Sequence, residues 1–495
     1  MSQPTENDSL SGGRPPPQQP QSDNQPQPAS VPTGYGSIQT PYVTPNYTWY
    51  QDIQRNKPQS TSLTAASLIC LSGGLGLSLS VGIGPIADYG THTQYCWFIA
   101  VIIGACVSAL LAKNVTKMAF NMTASLLVII KGIMYTALAA NTSWLIVARY
   151  CDGIAVGLTL IPAILAGSEQ SVKYYRGRVL SFEQSSLVIG AMLMALFING
   201  WKLATQSNLA HGITSIIYGL IALIFTFLTT IESPIFHLRK NNETEALNVI
   251  RQLQMPGTIT NETHELLNES KALFEEDVSR GRVDNISNSW IPLIKIIMLR
   301  VIVTLSFSLP LTWGFLFVSA LNDFPNDPNP FWFVFMRLLG VTISVWTIDR
   351  LGRKIVCAIG LLIGSIFLLG IGTLFSSSSA ISDNTLSTII AFLVIYQFLS
   401  GLVGPASTCY LSEAFSLSVK PYFILISIIV ENIAQIIVCT QTRIDSTSNF
   451  AYVLAAFQFI FAFIFYFTMP ETKQTTLREA LAMFKRRVYI NLGNA

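Results

Sequence analysis

Twelve tracts, each almost free of charge, follow one another along this chain and limit its fold more than any other feature. At a rise of about 1.5 Å per residue, a helix of about 20 residues spans a hydrocarbon core of roughly 30 Å. Within lipid every backbone polar group must be satisfied internally, so runs this long and this uniformly apolar are expected to be helices. The tracts fall at roughly 64–87, 94–112, 118–138, 143–167, 179–200, 212–231, 301–321, 331–348, 355–375, 388–411, 420–441 and 449–469, bounded by charges, Gly/Pro or short polar loops. Composition agrees: 51% of residues are hydrophobic and 12% charged, against about 25% charged in a soluble domain. The charges are also clustered, with 16 of the 57 Lys, Arg, Asp and Glu residues between Glu232 and Asp284. A soluble enzyme, a disulfide-stapled secreted domain or a nucleic-acid binder is excluded on these grounds, and a net charge of +3 points to no polyanionic partner.

The tracts divide six and six. Residues 1–60 hold 11 of the 23 prolines; with few large aliphatics they cannot offset their chain entropy, and a disordered cytosolic tail is expected. Residues 61–231 form a first six-helix bundle, 232–300 a cytosolic helical linker, 301–469 a second bundle and 470–495 a cytosolic C-terminal tail. The linker contains ETEALNVIRQL, apolar at helical spacing, and ends in the run from Trp290 to Arg300; both read as short amphipathic helices on the membrane surface. With the N-terminus in the cytosol, the inner loops and flanks hold Lys113, Lys117, Lys173, Arg176, Arg178, Arg350, Arg353, Lys354, Lys420 and Lys473, whereas the outer loops hold Lys202 and Arg443. Both termini are therefore expected on the cytosolic side. The seven cysteines show no CxxC pair and read as apolar packers; no metal, cofactor, nucleotide loop or nucleophile triad is indicated, and an enzyme is not expected. The four histidines read as lying outside the membrane cores.

Particular strings at the ends of the spans carry a resemblance. Asp349-Arg350-Leu351-Gly352-Arg353-Lys354, between spans 8 and 9, resembles the DRxGRR loop of the major facilitator superfamily. Glu232-Ser233-Pro234 after span 6, Arg176-Gly177 seven residues beyond Glu169, and Pro470-Glu-Thr-Lys473 after span 12 resemble the sugar porter family within it. With the proline- and glutamine-rich tail, the chain looks like a divergent, fungal-like member. The resemblance covers residues 64 to about 480 and implies an all-α membrane protein of two six-helix bundles, working as a monomer among lipids of the plasma or vacuolar membrane. It also implies a charged latch on the cytosolic side, with Glu169, Arg176 and Glu232 in one set and Asp349, Arg350, Arg353 and Glu413 in the other. Between spans 2 and 3 the family's repeat of that loop is replaced by Ala112-Lys-Asn-Val-Thr-Lys117, so one turn of the gate is expected to be weakened.

Carried over position by position, the resemblance places Gln184 where sugar porters hold a sugar-binding glutamine. The amide-rich string of span 7 falls on Phe307, Ser308, Pro310, Leu311 and Trp313, and the span 10 tryptophan on Thr408, so that wall is rebuilt. Trp313 either stacks on a ligand or packs in the interior. Arg337 and Glu431 stand at cavity-facing positions of spans 8 and 11, with Asn432 and Gln435 nearby. An ionised side chain at membrane depth requires a partner or water, so Arg337 and Glu431 are expected either to pair with each other or to flank an aqueous site. Arg149 occupies the family's proton-coupling arginine position, but its acidic partner in span 1 is replaced by Ser80, leaving Asp152 to neutralise it locally or Glu183 or Glu431 to titrate instead. Glu183, about 100° around the helix from Gln184, reads as an interface residue. The expected function is alternating-access transport of a small hydroxylated or charged solute, with D-glucose a poor ligand; the alternative is a non-transporting relative serving as a nutrient receptor or trafficking factor.

Overall fold

The computed structural model describes residues 49–84, 90–201, 203–322, 330–376, 382–443 and 446–486. The proline-rich stretch before Trp49, Lys202 and the residues after Arg486 lie outside them. The described chain is helical, without a strand. A first group comprises α1 (Trp49–Thr61), α2 (Thr64–Ser80), α3 (Gly90–Leu111), α4 (Lys117–Ala137), α5 (Thr142–Gln170), the short α6 (Arg176–Leu180), α7 (Phe182–Gly200) and α8 (Ala204–Thr229). The linker supplies α9 (Pro234–Arg239), α10 (Glu243–Gln252) and the start of α11 (Asn261–Leu305). A second group holds α12 (Leu309–Leu321), α13 (Phe331–Thr347), α14 (Arg353–Ser376), α15 (Asp383–Glu413), α16 (Lys420–Gln441), α17 (Thr447–Thr468) and the short α18 (Leu477–Phe484).

Ten of these helices, among the described residues, are long and apolar enough to cross a membrane, counting α11 and α12 together. The 17-residue α2, bent by 57° from α1, and the 17-residue α13 complete a set of twelve. Their outward faces carry large apolar side chains in the open, such as Leu228 at 73%, Val453 at 71% and Leu110 at 65% exposure. A surface so apolar fits hydrocarbon rather than water. Within the first half α3 packs on α5 and α4 on α8; within the second, α14 packs on α17 and α13 on α15. The halves meet where α3 packs on α16 and α7 on α13.

Two boundaries differ from the sequence expectation. Residues 49–61, assigned to the disordered tail, form α1, which is tied in by Arg55 to Glu262, by Gln59 Nε2 to the Leu253 carbonyl (3.4 Å) and by the Val172 N–H to Gln59 Oε1 (3.1 Å). More consequentially, the linker does not end at Arg300. Helix α11 turns at Gly281 (φ +73°) and then runs unbroken to Leu305, so that Arg300 lies inside span 7. The linker helices also do not lie separately on a membrane surface: Ile235, Leu238, Ala246, Ile250, Leu267 and Leu273 bury one another together with Leu417 and Leu477. The expectation that every histidine lies outside the membrane cores fails for His211, which is fully buried in α8 and stacked on Tyr135 at 4.2 Å.

Candidate functional site

Between the halves lies a cavity of about 80 Å³. The first half lines it with Trp97 and Phe98 of α3, Val156 and Leu160 of α5, and Glu183, Gln184, Leu187 and Val188 of α7. The second half supplies Arg300, Val303 and Thr304 of α11, Arg337 of α13, and Glu431, Asn432 and Gln435 of α16. One wall is thus apolar and aromatic, the other charged and amide-bearing. Five residues expected at a substrate site, Gln184, Arg337, Glu431, Asn432 and Gln435, come together here.

Glu431 does not pair with Arg337; its partner is Arg300. The guanidinium donates from Nε to Glu431 Oε2 (2.7 Å) and from one terminal nitrogen to Glu431 Oε1 (2.9 Å). It reaches equally to the first half, donating to Glu183 Oε1 (2.6 Å) and Oε2 (3.2 Å). Thr408, at the position where the family's tryptophan is missing, donates its hydroxyl to Glu183 Oε2 (2.7 Å), and Thr304 donates to Glu431 Oε2 (3.4 Å). All three charged residues are buried. Glu183 is therefore no mere helix-interface residue: α7 turns Glu183, Gln184, Leu187 and Val188 to the cavity, a spacing that covers one broad helical face on which positions 183 and 184 both belong. Forked charge-assisted bonds of this type fix geometry as well as charge.

Arg337 is buried without a carboxylate partner among the described residues. It donates to Ser306 Oγ, Gln397 Oε1 and Ser400 Oγ, each at 3.0 Å, and its guanidinium lies 4.8 Å above the centre of the Phe307 ring. Gln397 in turn donates to the Ser306 carbonyl (2.8 Å). These bonds pin the break between α11 and α12, where residues 306–308 leave backbone groups without helical partners. Gln435 is drawn into the same task, donating to the carbonyls of Thr304 (2.7 Å) and Phe307 (3.1 Å), and Asn432 donates to the Ile428 carbonyl (2.7 Å). By contrast, the Gln184 amide lines the cavity and makes no hydrogen bond among the described residues. Trp313 is not in the cavity wall. It packs against Gly82, whose φ of +86° and lack of a side chain admit the indole: a Cβ there would lie 2.8 Å from it.

In the first half, Arg149 donates to the Gly76 carbonyl (3.2 Å) and to Ser80 Oγ (2.5 Å). Asp152 does not neutralise it; that carboxylate accepts from Lys131 Nζ (2.7 Å) and from Trp97 Nε1 (2.9 Å). Lys131, which sequence reasoning passed over, is fully buried.

Most of the charges expected to form a latch are joined by ion pairs and hydrogen bonds. Arg176 of the first half donates to Glu413 Oε1 of the second (3.3 Å), and Glu413 also pairs with Arg353. Asp349 accepts from the backbone N–H groups of Gly177 (3.1 Å) and Arg178 (3.0 Å) at the start of α6, and lies 3.6 Å from Arg353. A Cβ at Gly177 would stand 2.3 Å from the Asp349 carboxylate, which is why that position needs glycine. Gly352, at φ +102°, lets the Glu471 carboxylate accept from the N–H groups of Arg353 (3.1 Å) and Lys354 (2.9 Å). Burial pushes the Asp349 carboxyl above its ordinary value, against the pull of Arg353. The charges form one set joined across the halves rather than two. Glu169 accepts from Ser233 and Glu232 from the Lys117 backbone, so both tie first-half segments together; Arg350 is exposed and offers its carbonyl to Lys473. Nor is the loop at Ala112 idle: Lys113 Nζ reaches the Ser418 carbonyl across the halves (2.9 Å), as Lys420 reaches Ser168 Oγ (2.8 Å).

A family model described as "Sugar (and other) transporter" matches residues 42–484. The chain is similar to a "Putative metabolite transport protein YncC" of Bacillus subtilis, 24% identical over 421 residues and covering 78% of this chain and 85% of that one. It is also similar to the "Galactose-proton symporter" of Escherichia coli K12, 24% identical over 438 residues, covering 83% and 91%. In structure it resembles the proton:xylose symporter XylE bound to 6-bromo-6-deoxy-D-glucose, with a TM-score of 0.70, 17% identity, and coverage of 87% of this chain and 100% of that one. The protein is therefore an integral multi-pass membrane protein of the major facilitator fold, not an enzyme, and belongs to the sugar (and other) transporter family.

Proposed function

We propose that this chain is a secondary transporter that carries a small hydroxylated solute through the cavity between its halves by alternating access, with both termini and the latch on the cytosolic side. The observation that carries the reading is the cavity itself: it is lined from both halves and closed by contacts between them at both ends, the latch at one and Gly82 against Trp313 at the other. Closing contacts of this kind are those a rocking motion of two bundles breaks in turn. The relatives named for galactose and xylose transport support a sugar-like cargo.

Every charge in the cavity already has partners, Arg300 its two carboxylates and Arg337 its neutral acceptors, so a neutral polyhydroxylated solute fits better than one carrying a net charge. Gln184 is the main free amide offered to it, and the apolar wall at Trp97 and Phe98 accepts the C–H face of a ring. Recognition of several hydroxyls needs several amides, because each stripped water hydrogen bond must be replaced. With Gln435 and Asn432 already engaged, D-glucose is expected to bind weakly. The test is counterflow in proteoliposomes with D-galactose, D-xylose, D-glucose, a polyol and a zwitterionic amino acid side by side. Saturable exchange of a sugar or polyol, abolished by Gln184→Ala, is expected. No exchange of any solute by folded protein would favour the alternative of a receptor or trafficking factor that no longer transports.

A further inference from the structure

The ion cluster at the cavity joins the two halves at membrane depth, and its charges do not balance. Glu183 belongs to the first half, whereas Arg300 and Glu431 belong to the second, and one guanidinium holds both carboxylates. When the latch end opens, α7 must draw Glu183 away from Arg300 on α11 and Thr408 on α15. The second half is then left with a balanced pair, Arg300 and Glu431, still joined by two hydrogen bonds. The first half is left with a bare carboxylate in an apolar surround, which is strongly unfavourable. One proton removes the difficulty, because a neutral Glu183 leaves the first half without a bare charge while Arg300 stays paired with Glu431 and Arg337 stays on its neutral acceptors.

We propose that Glu183 is the proton-binding residue of this protein, and that its protonation frees the first half from Arg300 so that the latch end can open. The proton comes from water on one side, bonds to a Glu183 carboxylate oxygen, and leaves to water on the other as the pair re-forms. The inference rests on the transporter reading above. Arg149 of the first half, by contrast, faces the Gly76 carbonyl and the Ser80 hydroxyl rather than a carboxylate. The groups facing Glu183 are consistent with this role. Arg300 comes from α11, Glu431 from α16, the buried Cys70 thiol from α2 and the hydroxyl of Thr408 from α15. Arg337 of α13 lines the same cavity but is held by neutral acceptors, and α8 contributes no ionisable side chain to the described lining.

The two carboxylates touch the same guanidinium, yet their removal is expected to act in opposite directions. Glu183→Gln mimics the protonated state and frees the halves. Glu431→Gln makes Glu183 the sole counter-ion of Arg300, so separation leaves a bare charge on each side and the latch end stays shut. Spin labels on cysteines introduced at Asn114 and Leu351, exposed loop positions of the two halves at the latch end, report the separation in nanodiscs once the half-buried Cys106 and Cys151 are replaced by Ala. In the otherwise unaltered protein the distance is expected to widen as pH falls from about 8 to about 5. Such widening cannot come from Asp349, since burial raises its pKa in the closed latch and acid therefore favours closure there. Glu183→Gln should be wide at both pH values, Glu431→Gln short at both, and Glu183→Asp should keep a pH response. A Glu183→Gln variant that retains the original response, a wide Glu431→Gln variant, or an unaltered protein blind to pH overturns the proposal. Because this readout needs no solute, an absence of uptake in the liposome panel would sink the transporter reading alone.

Discussion

A guanidinium gripped by two carboxylates out of contact with water leaves little tolerance for losing any one member. Arg300→Met strands Glu183 and Glu431 together, and a loss of about 3–5 kcal/mol in stability is expected, measurable as a lowered unfolding midpoint in detergent. Arg337 answers to a different set of partners. Arg337→Met and Glu431→Gln should therefore add within about 0.5 kcal/mol, whereas Arg300→Met and Glu431→Gln should couple by about 1 kcal/mol or more. Strong coupling of the first pair would contradict the hydrogen bonds that tie Arg337 to Ser306, Gln397 and Ser400. The sequence reading offered two fates for Arg337 and Glu431, pairing with each other or flanking an aqueous site; it could not name Glu431's actual partner, because Arg300 had been assigned to the linker. The signal against that assignment lay in the apolar residues on both sides of it, Ile-Ile-Met-Leu before and Val-Ile-Val after, which continue a membrane tract through the charge. Taking any charge as a boundary hid a charge that the interior uses.

At the scale of elements, the loops that carry the latch show why spacing was more informative than residue type alone. Asp349 sits at the start of α6 and accepts its free N–H groups, an arrangement favoured at a helix N-terminus. Gly177→Ala should open the latch by driving a methyl group into that carboxylate, and Gly352→Ala should do so by forcing a side chain into a positive φ. Either change should raise the reactivity of a cysteine placed on the latch side of the cavity. Arg353→Ala and Glu413→Ala are expected to act the same way, with reduced labelling of a cysteine on the opposite side. Unaltered labelling in all four variants would reduce these residues to markers of the membrane boundary. The motif strings were legible because fixed spacing serves fixed hydrogen bonds. The supports of the break at residues 306–308 were not, since Arg337, Gln397 and Gln435 arrive from three other helices.

For the whole molecule, hydropathy located most spans to within a few residues, because the length of a crossing helix is set by the bilayer, but α8 starts eight residues before its tract and α11 runs on from Gly281, well ahead of the expected span 7. The topology that follows from the basic loops is tested by a tag after Ala495, which should be reachable from the cytosolic face; protection there with access from the other face would invert the assignment. What hydropathy could not convey is that α11 begins among the linker helices and ends beside the cavity. Its first part is held in their shared core and tethered to α18 through Glu276 and Arg478. Past Gly281 it descends without interruption to Arg300. The chain thus has one place where it can be severed without harm and another where it cannot. A cut in the exposed residues 255–260 separates the polypeptide while leaving each fragment its own complete helices, and two such fragments made together should reassemble. A cut a few turns later, between Arg282 and Leu305, would detach the handle from the charge it positions, and no amount of co-expression should restore what the unbroken rod provides.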